Sequence, residues 1–162
     1  MSNYSNYVIN HVPRPPIVPT DWEYVRNEFD DIIEGKIENG NYEGDSTYPQ
    51  IRKTINLKYG CGTLHASEYI EDKKGAPQIV LRFEYDWQFE PANRNAIWKF
   101  HYDTYHPKEL WPTTINFHEH DEPTPIKTQH KRHSNFGHRD ICSVLGTIRV
   151  AMRVSGKLPI PQ

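Results

Sequence analysis

The sequence predicts an α+β fold: a single antiparallel sheet of about five strands, with an N-terminal and a C-terminal helix packed on one face. Three observations carry this. Between Ile51 and His118 apolar and polar side chains alternate in runs separated by short turn-forming segments. An amphipathic stripe at helical spacing precedes those runs, and a second one follows them. A chain of 162 residues, 36% hydrophobic and 25% charged, is long enough to bury about two-thirds of its unfolded surface around one core. The expected organisation is an extended Pro-rich arm over 1–19 and a single domain over 20–162.

The elements follow in order. Pro13, Pro15, Pro16 and Pro19 give the arm its extended character, without periodicity. Thr20 and Glu23 have capping-box spacing, and Trp22, Val25, Phe29, Ile32 and Ile33 form one helical stripe that Gly35 or Gly40 should end. NGNYEGDSTYP reads as a loop. Ile51, Ile55, Leu57 and Tyr59 then alternate with polar residues; GCG at 60–62 turns the chain, and Thr63 to Ile70 returns. In the third strand Ile79, Leu81, Phe83, Tyr85, Trp87 and Phe89 point one way, with Val80, Arg82, Glu84, Asp86 and Gln88 opposite. A fourth strand puts Ala96, Trp98, Phe100 and Tyr102 on the apolar side, and Ile97, Lys99, His101 and Asp103 on the other. The fifth runs from Thr113 to His118, with His120 beyond its end. The last helix starts near His138 or Arg139, where Ile141, Val144, Leu145, Ile148 and Met152 form the strongest helical stripe in the chain.

Composition excludes several classes. The longest apolar stretch, Ile141 to Met152, is interrupted by polar residues and is too short for a membrane span of about 20 residues. The N-terminal residues lack a basic start followed by an apolar run, so a cytoplasmic protein without membrane contact is expected. Cys61 and Cys142 stand outside any CxxC spacing and supply neither a disulfide framework nor a zinc ribbon. GCG and NGNYEG lack the Lys-Ser/Thr of a phosphate loop. Charge is uneven despite a net of −2: residues 1–48 hold nine acidic and three basic side chains, and residues 122–162 hold two acidic and seven basic. That basic third is a candidate contact for anions or nucleic acid, or a solvated complement to the acidic N-terminal part.

Histidine is the distinctive residue. The chain has nine, seven of them between His101 and His138. Strand parity gathers Arg82, Glu84, Asp86, Lys99, His101 and Asp103 on the face opposite the helices, and adds His118 and His120. Two chemistries suit this set. Imidazole and carboxylate at His101, Asp103, His118 and His120 would hold a transition metal. Without a cofactor, the same residues and His106 would serve as acid–base groups in RNA cleavage through the 2′-hydroxyl, with Lys99, Lys131 and Arg132 facing phosphate. His130, His133 and His138 fall in a basic loop leading into the last helix. Tyr105 and Trp111, in the loop between strands four and five, either stack on a base or pin that loop. A binding module without catalysis, working through the basic C-terminal third or the arm, is the alternative of a different class.

The segments Tyr85-Asp86-Trp87-Gln88, Phe100-His101-Tyr102-Asp103, His106-Pro107, Phe117-His118-Glu119-His120 and Asp140 to Ile148 follow one another in an order that resembles the TumE family of toxin-like proteins. The resemblance spans about residues 85–151. Lys99-Phe100-His101-Tyr102 departs from the family pattern, which has an Arg before Tyr-Asp. The resemblance implies a growth-inhibiting toxin, a metal-independent ribonuclease neutralised by an antitoxin-like protein partner, with RNA as substrate. A homodimer is compatible with it.

Overall fold

The computed structural model of the chain describes residues 17–40, 49–90, 92, 97–102, 117–122, 131–134 and 138–159; for 117–122 and 131–134 it describes the backbone alone. The arm up to residue 16, Ala96, the loop residues Asp103, Tyr105, His106 and Trp111, and residues 113–116 of the expected fifth strand lie outside the described residues.

Asp21, not Thr20, starts the first helix, α1 (Trp22–Glu28): its carboxylate accepts from the backbone N–H groups of Glu23 at 3.1 Å and Tyr24 at 3.0 Å. Thr20 is taken by another partner, the carboxylate of Glu68, which accepts from both its backbone N–H and its hydroxyl. The helix is also shorter than its apolar stripe. After Phe29 the chain turns, so that Ile33 bridges Leu57 and the N–H of Glu34 bonds the carbonyl of Asn56 at 2.8 Å. Val25, Phe29, Ile32 and Ile33 are nonetheless all buried. Pairing with the sheet supplies the backbone partners that a longer helix would have supplied.

The sheet is antiparallel throughout, with its strands in sequence order. They are β1 (Glu38–Asn39), β2 (Gln50–Asn56), β3 (Thr63–Glu71), β4 (Ile79–Gln88), β5 (Ile97–Tyr102), β6 (Phe117–Glu122) and β7 (Lys131–Ser134). Strands β2 to β6 are the expected five, and β1 and β7 add short flanking strands. The fifth expected strand extends to Glu122, so His120 lies within it, paired with Lys99. KRHS at 131–134, which reads as loop because it lacks apolar alternation, is strand because β6 offers it a ladder.

Two departures from simple alternation shape the sheet. Tyr59 is not the last inward residue of β2. It sits in a short 3-10 turn over Lys58–Gly60 with φ of 60° and is exposed. That turn closes onto Gly62, at φ of +84°, where a Cβ would stand 1.8 Å from the carbonyl oxygen of Gln88. In β4, a bulge changes the register from Tyr69↔Arg82 to Ile70↔Val80 and leaves Leu81 unmatched. The inward parity therefore reverses: Val80 is buried, and Ile79 and Leu81 are only half-buried, contrary to strict alternation along the whole strand.

The last helix, α2 (Ile141–Val154), begins at Asp140. Asp140 accepts from the N–H of Ser143 at 2.7 Å, and the Ser143 hydroxyl accepts from the N–H of Asp140 at 3.3 Å, a reciprocal capping box. Its whole predicted stripe is buried, joining Phe83, Tyr85 and Phe100 in one core. At its end Gly156 takes φ of +72°, and the N–H groups of Lys157 and Leu158 bond the carbonyl of Met152. The two helices are fastened together by Arg149. Its guanidinium lies over the Phe29 ring at 4.4 Å and bonds Asp31 at 2.7 Å and the carbonyl of Glu28 at 2.5 Å. Among the described residues, no helix is long and apolar enough to cross a membrane.

Among the described residues, one polar side chain is buried with the apolar ones. Glu68 faces the core between Ala66 and Ile70 and is 1% exposed. Thr20 and the hydroxyl of Tyr85, at 2.6 Å, satisfy its carboxylate. Burial first, and then the neighbouring Glu68 charge, hold the Tyr85 phenol well above its usual ionisation range.

Candidate functional site

Strand register decides which polar residues meet. On the face opposite the helices, two rows cross the sheet. The first is Thr54↔His65↔Asp86↔Lys99↔His120↔Arg132, and the second is Arg52↔Ser67↔Glu84↔His101↔His118↔Ser134. Directly opposed residues in an antiparallel pair have Cα atoms about 4.5–5.5 Å apart. His101 and His118 are therefore immediate neighbours in backbone position, as are Lys99 and His120.

Among side chains, the central contact is between His101 and Asp86. His101 Nε2 lies 3.2 Å from Asp86 Oδ1, with the two side chains 18% and 33% exposed. They are diagonal neighbours: His101 pairs with Glu84, and Asp86 lies two residues along β4. The carboxylate favours the tautomer with the proton on Nε2, which leaves Nδ1 as the acceptor nitrogen. Partial exposure leaves the pair accessible to a substrate. Asp86 shares the predicted polar face but is given no catalytic or metal-binding role by the sequence reading. Its signal was available in the parity of β4, which puts it on the same face as His101, but its contact depends on the β4–β5 register.

The other candidates divide. Lys99 is paired with Asp86 on one side and His120 on the other. Arg132 is the next position in that row, opposite His120. Lys131 is not grouped with Arg132: it pairs with Asp121, which pairs with Trp98 in the alternate row shared with Trp87 and Leu64. Adjacent residues in a strand take opposite faces, so one register position separates the two cations. Asp103 and His106 lie outside the described residues. Among the histidines of the expected basic loop, His138 is instead set against the core side: its ring lies 4.7 Å from that of Phe100, and Nε2 meets the Thr147 hydroxyl at 2.5 Å. His133 pairs with Glu119 in the row of Phe100 and Tyr85, and His130 lies outside the described residues.

Among the residues whose side chains are described, which do not include His118 and His120, no three His, Cys, Asp or Glu form a group that would hold a metal ion. Neither cysteine is placed as a nucleophile. Cys61 is buried, its carbonyl accepting from Trp87 Nε1 at 2.9 Å. Cys142 packs against the core, and burial, reinforced by the charges of Asp140, Glu28 and Glu68, pushes its thiol up. What the arrangement offers is an imidazole oriented by a carboxylate, a second histidine position across the adjacent ladder and a flanking cation, all on a surface strand triplet. Comparison with protein-family models, with curated proteins and with solved structures returns no match.

Proposed function

We propose that the chain is a toxin-like, metal-independent ribonuclease acting in the cytoplasm and restrained by an antitoxin-like partner protein. The observation that favours this reading is the 3.2 Å contact between His101 and Asp86, on a strand whose neighbours bring His118 opposite His101 and Lys99 between Asp86 and His120. Cleavage through the 2′-hydroxyl needs a base for that proton, an acid for the departing 5′ oxygen and positive charge near the phosphate. In this reading His101, oriented by Asp86, takes the 2′ proton; the histidine position across the ladder, His118 with His120 behind it, returns one to the leaving oxygen. Lys99 and Arg132 flank the phosphate. The P–O bond to the 5′ oxygen breaks as the 2′ oxygen bonds phosphorus, giving a 2′,3′-cyclic phosphate and a 5′-hydroxyl. The toxin and partner parts of the reading rest on the motif order between Tyr85 and Ile148.

The test compares the wild-type chain with His101→Ala and with a His118→Ala, His120→Ala double variant, following RNA decay in the presence of a chelator and growth on expression. The expected result is cyclic-phosphate ends from the wild type, insensitivity to the chelator, and losses on the order of a hundredfold or more in both variants. Equal RNA decay and equal growth inhibition in all three proteins would overturn the site. Decay abolished by the chelator would transfer the histidines to a metal.

A further inference from the structure

The face that holds the His101–Asp86 pair also carries a cation and a ring that the chemistry above does not use. Tyr69 and Arg82 are directly opposed across β3 and β4, and the Arg82 guanidinium carbon lies over the Tyr69 ring, 5.0 Å from its centroid. Glu84 contacts the same guanidinium, and the Arg82 side chain remains 42% exposed. The bulge that drops Leu81 from the ladder adjoins this pair, and bulges twist a strand and re-aim its side chains. Arg82 is two residues from Glu84, which is paired with His101. The subsite thus lies one i, i+2 step of about 7 Å along β4 from the residue opposite His101, and two such steps, about 13 Å, from Asp86, toward which the imidazole leans.

We infer that Tyr69 and Arg82 form a base-stacking subsite for single-stranded RNA, on the same sheet face as the proposed scissile position. This rests on the ribonuclease reading for its orientation but not for its existence. A planar guanidinium held over a ring by Glu84 presents a flat cationic plate. Unstacked bases lie on aromatic rings and on arginine planes, which favours single strands over duplexes because bases in a duplex are already stacked. Arg52, across Ser67 from Glu84, adds positive charge along the same row. The ligand class is therefore an extended RNA segment running along the outer face of β3 to β5.

The experiment measures binding of a short labelled 2′-O-methyl RNA, which the proposed chemistry leaves intact, to the full chain and to Tyr69→Leu, Tyr69→Phe, Arg82→Gln and Arg82→Lys, with cleavage of a dinucleotide and of a longer RNA in parallel. Tyr69→Leu and Arg82→Gln should each weaken single-strand binding about tenfold, the order of one base stack. Tyr69→Phe should retain binding, because the ring remains; Arg82→Lys should not, because a lysine keeps the charge and loses the plane. KM should rise in the weakened variants, and more for the longer RNA than for the dinucleotide, because the longer strand spans more of the outer face. Full binding by Arg82→Lys would overturn stacking, and wild-type binding by both Tyr69→Leu and Arg82→Gln would overturn the subsite. Duplex RNA bound as tightly as single-stranded RNA would overturn the substrate class. If the wild type binds in this pattern without cleaving, the subsite stands and the ribonuclease reading falls.

Discussion

The two faces of the sheet are made by the same strands and obey opposite rules. On the helix side, Phe83, Tyr85 and Phe100 are at most 1% exposed, and the carboxylate of Glu68, buried with them, has Thr20 and Tyr85 as donors. On the other side Arg82, Glu84, Asp86, Lys99 and His101 are half-buried and His65 is exposed, their charges interleaved across the ladders. The inner face has one well-packed arrangement and loses stability when any piece is removed. The outer face contributes little stability per residue, so its charges and imidazoles are available to a ligand.

That contrast is most exposed to failure at Phe83. Phe83→Ala should cost about 3–5 kcal/mol in urea denaturation, because a fully buried ring stacked 4.4 Å from Tyr85 leaves a cavity the sheet cannot close. Next comes Glu68→Ala, expected to lose about 2–3 kcal/mol because Thr20 and Tyr85 would keep buried donors without an acceptor. Adding Tyr85→Phe to that variant should return part of the loss, which a double-mutant cycle reads directly; no recovery would mean the cluster does not act as a unit.

The third prediction concerns alkaline pH. The folded-state ionisation of Tyr85 is raised, so its contribution is complete below the ordinary phenol value of about 10 and is lost as pH climbs through the folded value. Wild-type stability should therefore fall faster than that of Tyr85→Phe above about pH 10, by up to about 1.4 kcal/mol per pH unit, in denaturation curves at stepped pH. Parallel curves for the two proteins would contradict the buried phenol. The smallest effect belongs to the outer face: His65→Ala should change stability by less than about 0.5 kcal/mol, since the side chain is exposed and lies in a strand held by its backbone ladder. A cost near that of Glu68→Ala would mean that the outer face, too, is packed.

Several particulars of this division were legible beforehand. The stripe of α2 was complete from Ile141 to Met152, because a long helix repeats its period several times and one face must be buried. Parity alone also grouped Arg82, Glu84 and Asp86 with Lys99 and His101. Glu68 was not legible as a core residue, since its burial depends on Thr20, 48 residues earlier in the chain, arriving with two donors. Nor was the role of Thr20, whose spacing to Glu23 fits a cap equally well; the adjacent Asp21 takes that place once Glu68 claims the hydroxyl.

By itself, then, the sequence determined the kinds of element and the face each side chain would take wherever a period of two or of 3.6 ran unbroken, because those periods are properties of the local backbone. Tertiary structure alone decided the bulge that reverses Val80 and Leu81, the strand at 131–134, the separation of Lys131 from Arg132 and the diagonal that joins His101 to Asp86. Each of these is a matter of register between strands. Register is chosen by ladder hydrogen bonds and packing summed over the whole sheet, and a shift of one residue, invisible in local composition, moves every side chain to the other face.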